Sequence, residues 1–264
     1  MKLAVEQFLP SQPSMVGKGQ PIIFVHGNAS TRAVWTEVIE DLKDDHYCIT
    51  YDLRGHGDGC TADSLLTLDQ LVADLEAIRT ATGFARIALV GHSLGAFIVA
   101  RYAILHPDRV DWIGLLAMPA ERTEEEKASA ATLLNKLKQD GVSRTMPALS
   151  SSWYTQAFTD AHPNALNARL EQVLAIDEAV FLQFYALYST INVDAFLPDI
   201  TAPALIMTGE HARGCGGDVA TNVARMMPDA SVVVFPKMKN GILTEIPEKV
   251  AQNLREFYLG IEAL

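Results

Sequence analysis

A chain of 264 residues, 49% of them hydrophobic, can bury the core of one α/β domain and still hold an inserted subdomain. A net charge of −11 with no stripe of Lys and Arg argues against nucleic-acid or anionic-membrane partners, and no apolar run reaches membrane-spanning length. The three cysteines, Cys48, Cys60 and Cys215, lack C-x-x-C spacing, so neither a disulfide framework nor a metal site is expected.

Residues 1–10 show no basic segment leading into a long apolar one, so no signal peptide is expected and the cytoplasm is the default compartment. Further on, short apolar runs alternate with amphipathic stretches, the pattern of a mostly parallel sheet with crossover helices. Strands are predicted at 21–25, 47–52, 87–90, 110–118, 204–208 and 231–235. Helices are predicted at 68–80, where Leu71, Leu75 and Ile78 recur at helical spacing, at 96–105 and at 247–259. Between 118 and 197 no good strand appears. A charged amphipathic helix over 121–139 ends at Gly141, and helical patterns follow at 164–175 and 177–189. A single crossover rarely needs so much chain, so 119–197 reads as a helical lid on a core formed by 1–118 and 198–264. Ordinary crossover helices are the alternative.

Three motifs carry the chemistry. Gly91-His92-Ser93-Leu94-Gly95 directly follows the apolar run Ile87–Val90 and precedes a helical pattern. This G-x-S-x-G reads as a nucleophile elbow, a sharp strand-to-helix turn that holds a serine hydroxyl above the sheet. Phe24-Val25-His26-Gly27-Asn28 follows the first strong strand. With Ser93 present, the backbone N–H groups of Asn28 and Leu94 read as an oxyanion hole, donors for charge that appears only in the tetrahedral state. Asp52-Leu53-Arg54-Gly55-His56-Gly57 reads as a structural loop, in which Asp52 and Arg54 satisfy backbone groups or pair with each other. His56 is taken as a loop residue. His92, at the tip of a tight turn, is taken to point away from the nucleophile.

The three motifs, in this order and at these separations, resemble the α/β-hydrolase superfamily. Trp35, His106-Pro107-Asp108-Arg109-Val110 and Glu245-Ile246-Pro247-Glu248-Lys249-Val250 extend the match. The small lidded members come nearest: meta-cleavage-product hydrolases, enol-lactonases and esterases. The resemblance implies an α/β-hydrolase fold, a mostly parallel sheet with an inserted helical lid, and Ser93 as nucleophile. It also exposes a gap. The family's acid position, G-x-x-D after a late strand, falls on Ala212 in Gly209-Glu210-His211-Ala212. The family's histidine, in a G-H pair seven residues before the proline matched by Pro247, falls on Asn240. No histidine follows His211, which is the one weak candidate for a substitute base. Glu121 is a backup acid, although it reads more naturally as favouring the N-terminal turn of the helix expected there. Gly214–Gly217 and Asp218 read as a flexible loop at the same edge.

Trp153, Tyr154 and Phe158, then Phe181, Phe184, Tyr185 and Tyr188 on one helical face, populate the expected lid. Most are expected to pack it onto the core, with His26, Trp153, Tyr154, Phe184 and Tyr188 as candidate pocket residues. The resulting expectation is a cofactor-free serine hydrolase with a non-standard or impaired triad. Its partner would be a small apolar ester, lactone or C–C-bonded ketone. The alternative is a catalytically silent ligand-binding or sensing member of the same fold. Oligomeric state, monomer or homodimer, is left open.

Overall fold

A computed structural model describes residues 9–62 and 66–263; the first eight residues of the stretch examined for a leader lie outside them. The chain begins with β1 (Ser14–Gly17), β2 (Gln20–Val25), α1 (Thr36–Leu42), β3 (His46–Thr50), α2 (Leu68–Thr82) and β4 (Ile87–His92). It continues through α3 (Leu94–Leu105) and β5 (Val110–Leu116). Five helices then intervene: α4 (Glu124–Asp140), α5 (Val142–Leu149), α6 (Gln156–Ala161), α7 (Ala165–Leu174) and α8 (Glu178–Thr190). The core resumes with β6 (Ala204–Gly209), α9 (Gly217–Met226), β7 (Ala230–Phe235), α10 (Ile242–Glu245) and α11 (Pro247–Glu262).

Among the described residues the strands form one sheet in the order β1-β3-β2-β4-β5-β6-β7, parallel except where β1 meets β3. The parallel strands read as continuous apolar runs because both faces are covered. Successive side chains point to opposite faces. Ile23 and Val25 accordingly join the cluster under α2 and α3, while Ile22 and Phe24 join the one under α1 and α11. β1 was not anticipated. Its four residues are all exposed, so it carries no alternation to detect.

Strand order reverses between β2 and β4: the chain leaves β2 for β3 on one side and returns to β4 on the other. In open α/β sheets ligands bind in the crevice at the carboxyl ends of the strands at such a switch point. Gly27 and Asn28 follow β2, and Ser93 follows β4, at that crevice.

The helical insertion has its own small core of Leu137, Val142, Met146, Val173 and Phe181, which Ala29 of the sheet domain joins. α4 starts three residues after Glu121, at a capping box in which Thr123 and Glu126 satisfy each other's backbone N–H. Glu121 therefore lies outside the helix, at φ 51°, and its carboxylate accepts from Asn222 at 2.8 Å. The glycine-rich stretch expected to be a loop instead starts a helix at Gly217, with Gly216 as its N-cap.

Candidate active site

Ser93 adopts φ 55° and ψ −116°, a strained conformation for a residue with a β-carbon. The glycines around it make the turn possible. A Cβ on Gly91 would lie 2.2 Å from the Gly95 carbonyl oxygen, and one on Gly95 would lie 2.1 Å from that of Val25. The Ser93 N–H is tied to Leu116 O at 2.8 Å, so β5 helps hold the elbow. Leu94 opens α3, and the first N–H groups of a helix have no partner within it. The Leu94 N–H is therefore available beside the serine.

The loop after β2 packs directly on the elbow: a Cβ on Gly27 would be 3.0 Å from His92 O and 3.1 Å from Ser93 Cβ. Two buried histidines shape this loop. His26 Nδ1 bonds Gly27 O at 2.8 Å while its Nε2 accepts the Leu53 N–H at 3.0 Å. His56 Nε2 accepts the Ala29 N–H at 3.1 Å, with Nδ1 on Arg54 O at 3.1 Å. Accepting at Nε2 places the proton on Nδ1 in both rings. Burial, with His56 nearby, pushes His26 down to about 3, and burial also lowers His56, so both are neutral near pH 7. The Ala29 N–H is thus spent on His56.

The Asp52 loop supports this arrangement. Asp52 accepts the N–H groups of Arg32 at 2.7 Å and Asp58 at 3.2 Å. Arg54 does not pair with Asp52; it forms a two-pronged bridge to Asp74, 2.7 Å at each oxygen.

Ser93 opens onto a cleft of about 860 Å³ between the sheet edge and the insertion. Ser93, Asn28, His92 and Asn240 line it, as do Trp153, Tyr154 and Tyr188 of the insertion. His26 and Phe184, expected here, are absent from the lining. Both are fully buried, His26 in its backbone bonds and Phe184 edge-on against His56 with centroids 4.5 Å apart. His92 lines the cleft rather than turning from it, with Nε2 enclosed and unpartnered among the described residues. Burial pushes His92 down to about 4, opposed by a hydrogen bond to the Asn240 backbone.

At the family's base position, the Asn240 side chain accepts the Arg213 N–H at 3.1 Å and donates to Cys215 Sγ at 3.5 Å. Ala212, at the acid position, is buried in an apolar nook with Ala117 and Cys215. Burial pushes the Cys215 thiol up to about 12, so it is neutral. His211 does not line the cleft. Its side chain is 61% exposed and sits 3.7 Å from Glu210.

Sequence reasoning missed three arginines of the cleft: Arg122 at the entry to the insertion, Arg169 on α7 and Arg213 after β6. Arg169 donates to Ala29 O at 2.6 Å, bridging the insertion to the loop after β2. Its spacing contained a signal. Arg169 stands four residues before the buried Val173, on the inward face of α7.

The α/β hydrolase fold family matches residues 20–237. Over 241 residues, 90% of each chain, the protein is 23% identical to the (E)-2-((N-methylformamido)methylene)succinate hydrolase of Acinetobacter baylyi. It is 26% identical over 250 residues to the 2-(acetamidomethylene)succinate hydrolase of Mesorhizobium japonicum, covering 91% of this chain and 88% of that one. Among solved structures, the enol-lactonase from Burkholderia xenovorans LB400 superposes with a TM-score of 0.85 at 18% identity, covering 94% of this chain and 96% of that one. The sheet, the elbow turn and the family match together lead to one conclusion: this chain belongs to the α/β hydrolase fold family.

Proposed function

We propose that this protein is a serine hydrolase of small esters, lactones or C–C-bonded ketones, working with an impaired triad. Ser93 is the nucleophile, the N–H groups of Asn28 and Leu94 receive the oxyanion, and the insertion over 119–197 serves as the lid. The observation that carries this reading is the strained Ser93 turn, held at the cleft against Gly27. Strain of this kind persists only when its surroundings over-determine it, and it clusters at functional sites. Two full-length relatives named as hydrolases support the reaction class.

Proton transfer is the deficient step. An amide at Asn240 has no basic lone pair near neutral pH, and Ala212 offers no carboxylate to orient a base. In a serine hydrolase, losing the serine or histidine costs on the order of a million-fold in turnover, roughly 8 kcal/mol of barrier. About a thousand-fold acceleration over water survives through the oxyanion hole and binding. Slow turnover follows. A second reading, a silent binding protein, draws on the Asn240 side chain being held by Arg213 and Cys215.

Fluorophosphonate labelling followed by intact mass separates the two. Slow adduct formation that disappears in Ser93→Ala supports the hydrolase. An unlabelled parent chain after prolonged exposure contradicts it and leaves the binding reading.

A further inference from the structure

We propose that the cleft takes a carboxylate-bearing substrate and that Arg169 receives the carboxylate. The inference rests on the cleft being the substrate site of the preceding reading, and it replaces an apolar substrate with an anionic one.

In this acidic chain, Arg32, Arg54, Arg79, Arg86, Arg101, Arg109 and Arg255 each bridge an Asp or Glu. Arg122, Arg169 and Arg213 bridge none among the described residues, and all three line the cleft. Arg144 and Arg225 also lack a carboxylate, but neither lines the cleft; Arg213, which does, is exposed like them. The cleft therefore collects unpaired guanidinium groups in a protein of net charge −11. Of the two carboxylates in its lining, Glu126 is committed to the Thr123 cap; the other is Glu125.

Arg169 is the best placed of the three. Its Nη1 donates to Ala29 O, and its guanidinium carbon lies 5.4 Å from the Trp153 ring centroid. One of five N–H donors is thereby used, leaving a planar fork that matches a carboxylate. Burial disfavours its charge, opposed by Tyr154, and no carboxylate among the described residues pairs with it. Arg169 is half-buried at the wall of the cleft, and a bound anion offsets the solvation its charge loses there. Ala29 is the neighbour of Asn28, so a carboxylate on Arg169 sits beside the oxyanion loop. Arg122 also lines the cleft, donating to Tyr188 O at 2.8 Å with its guanidinium 4.7 Å from the Tyr188 ring centroid. It offers a second anchor.

A purely structural Arg169, tying α7 to the sheet domain, predicts no preference for anions. The test is calorimetric titration of the full chain with succinate and with succinamide, its uncharged analogue of equal size. Succinate should bind at least about ten-fold more tightly, the effect of one charge-assisted hydrogen bond. That preference should shrink with added salt, vanish in Arg169→Met and survive in part in Arg169→Lys. If Arg169→Met proves unstable, Arg122→Met should still reduce the preference in a folded chain. Equal affinity for the two compounds overturns the proposal, as does no binding of succinate or a preference unchanged in a folded Arg169→Met. Tighter binding of inorganic phosphate than of succinate overturns the carboxylate assignment. The readout is binding, so failed labelling of Ser93 with the succinate preference intact sinks only the hydrolase reading. Labelling without the preference sinks only this one.

Discussion

The side-chain oxygen of Asn240 accepts the backbone N–H of Arg213 at 3.1 Å, joining the loop after β7 to the loop after β6. In a working triad these two loops would carry the histidine and its acid. Here an amide spans them and also donates to Cys215. Asn240 thus has a structural task at a position where the resemblance implies a base. Asn240→Ala should cost about 1–2 kcal/mol of stability through the lost hydrogen bonds. Esterase turnover of the folded variant should stay near that of the parent. Urea melts and rate assays read both; a steep fall in turnover would mean that the amide takes part in the reaction.

The elbow makes a steric prediction with an internal control. Gly95→Ala places a Cβ 2.1 Å from Val25 O and 2.8 Å from His26 O, both backbone atoms that cannot swing aside. It should cost about 3 kcal/mol or more, or prevent folding. Gly260, within α11, faces open space. Gly260→Ala should be neutral or gain up to about 1 kcal/mol. Denaturation midpoints decide, and comparable losses at the two sites would contradict the geometry.

Stability should fall in mild acid. His26 and His92 are held neutral in the fold, with values of about 3 and about 4, because burial penalises their charged forms. The unfolded chain takes up protons near pH 6.5, while the folded chain does not until much lower. Their contribution is therefore fully present above pH 6.5 and is lost as pH falls toward the folded values. Between pH 6 and pH 5 the two together should remove about 2 kcal/mol. Denaturant titrations at the two pH values test this, and a flat profile would show that the rings are not held neutral.

Residues that answer a local steric or packing demand were legible in the sequence. Gly91 and Gly95 frame Ser93 because no other residue fits there, so the motif alone located the turn. Pro21–Val25 read as a strand because both of its faces are buried. The amphipathic pattern before Gly141 marked α4, although its start was placed too early because Glu121 looked like a first-turn acid. β1 left no trace because nothing on it is buried, and Gly216-Gly217 concealed a helix start behind loop composition. The most consequential omission was Arg169. A lone arginine on a helix is usually a solvated cation; its spacing from Val173 marks the inward face, and the fold shows it donating to Ala29 with no carboxylate paired to it among the described residues. His26 and Phe184 erred in the other direction: His26, beside the loop in sequence, is a buried support, and Phe184, on the inner face of α8, is buried against His56.

The central claim is that Ser93 and its oxyanion donors are formed while proton transfer is missing. It is tested most directly by restoring the two absent groups and measuring turnover of p-nitrophenyl acetate. Ala212→Asp alone should destabilise the protein, because it puts a carboxyl into the buried apolar nook of Ala117 and Cys215. Asn240→His alone should give a small gain, since an unoriented imidazole is a poor base. The double variant should gain about a hundred-fold, roughly 2.7 kcal/mol of barrier. That gain should vanish when Ser93→Ala is added. No gain in a folded double variant, or a gain that survives Ser93→Ala, would contradict the account.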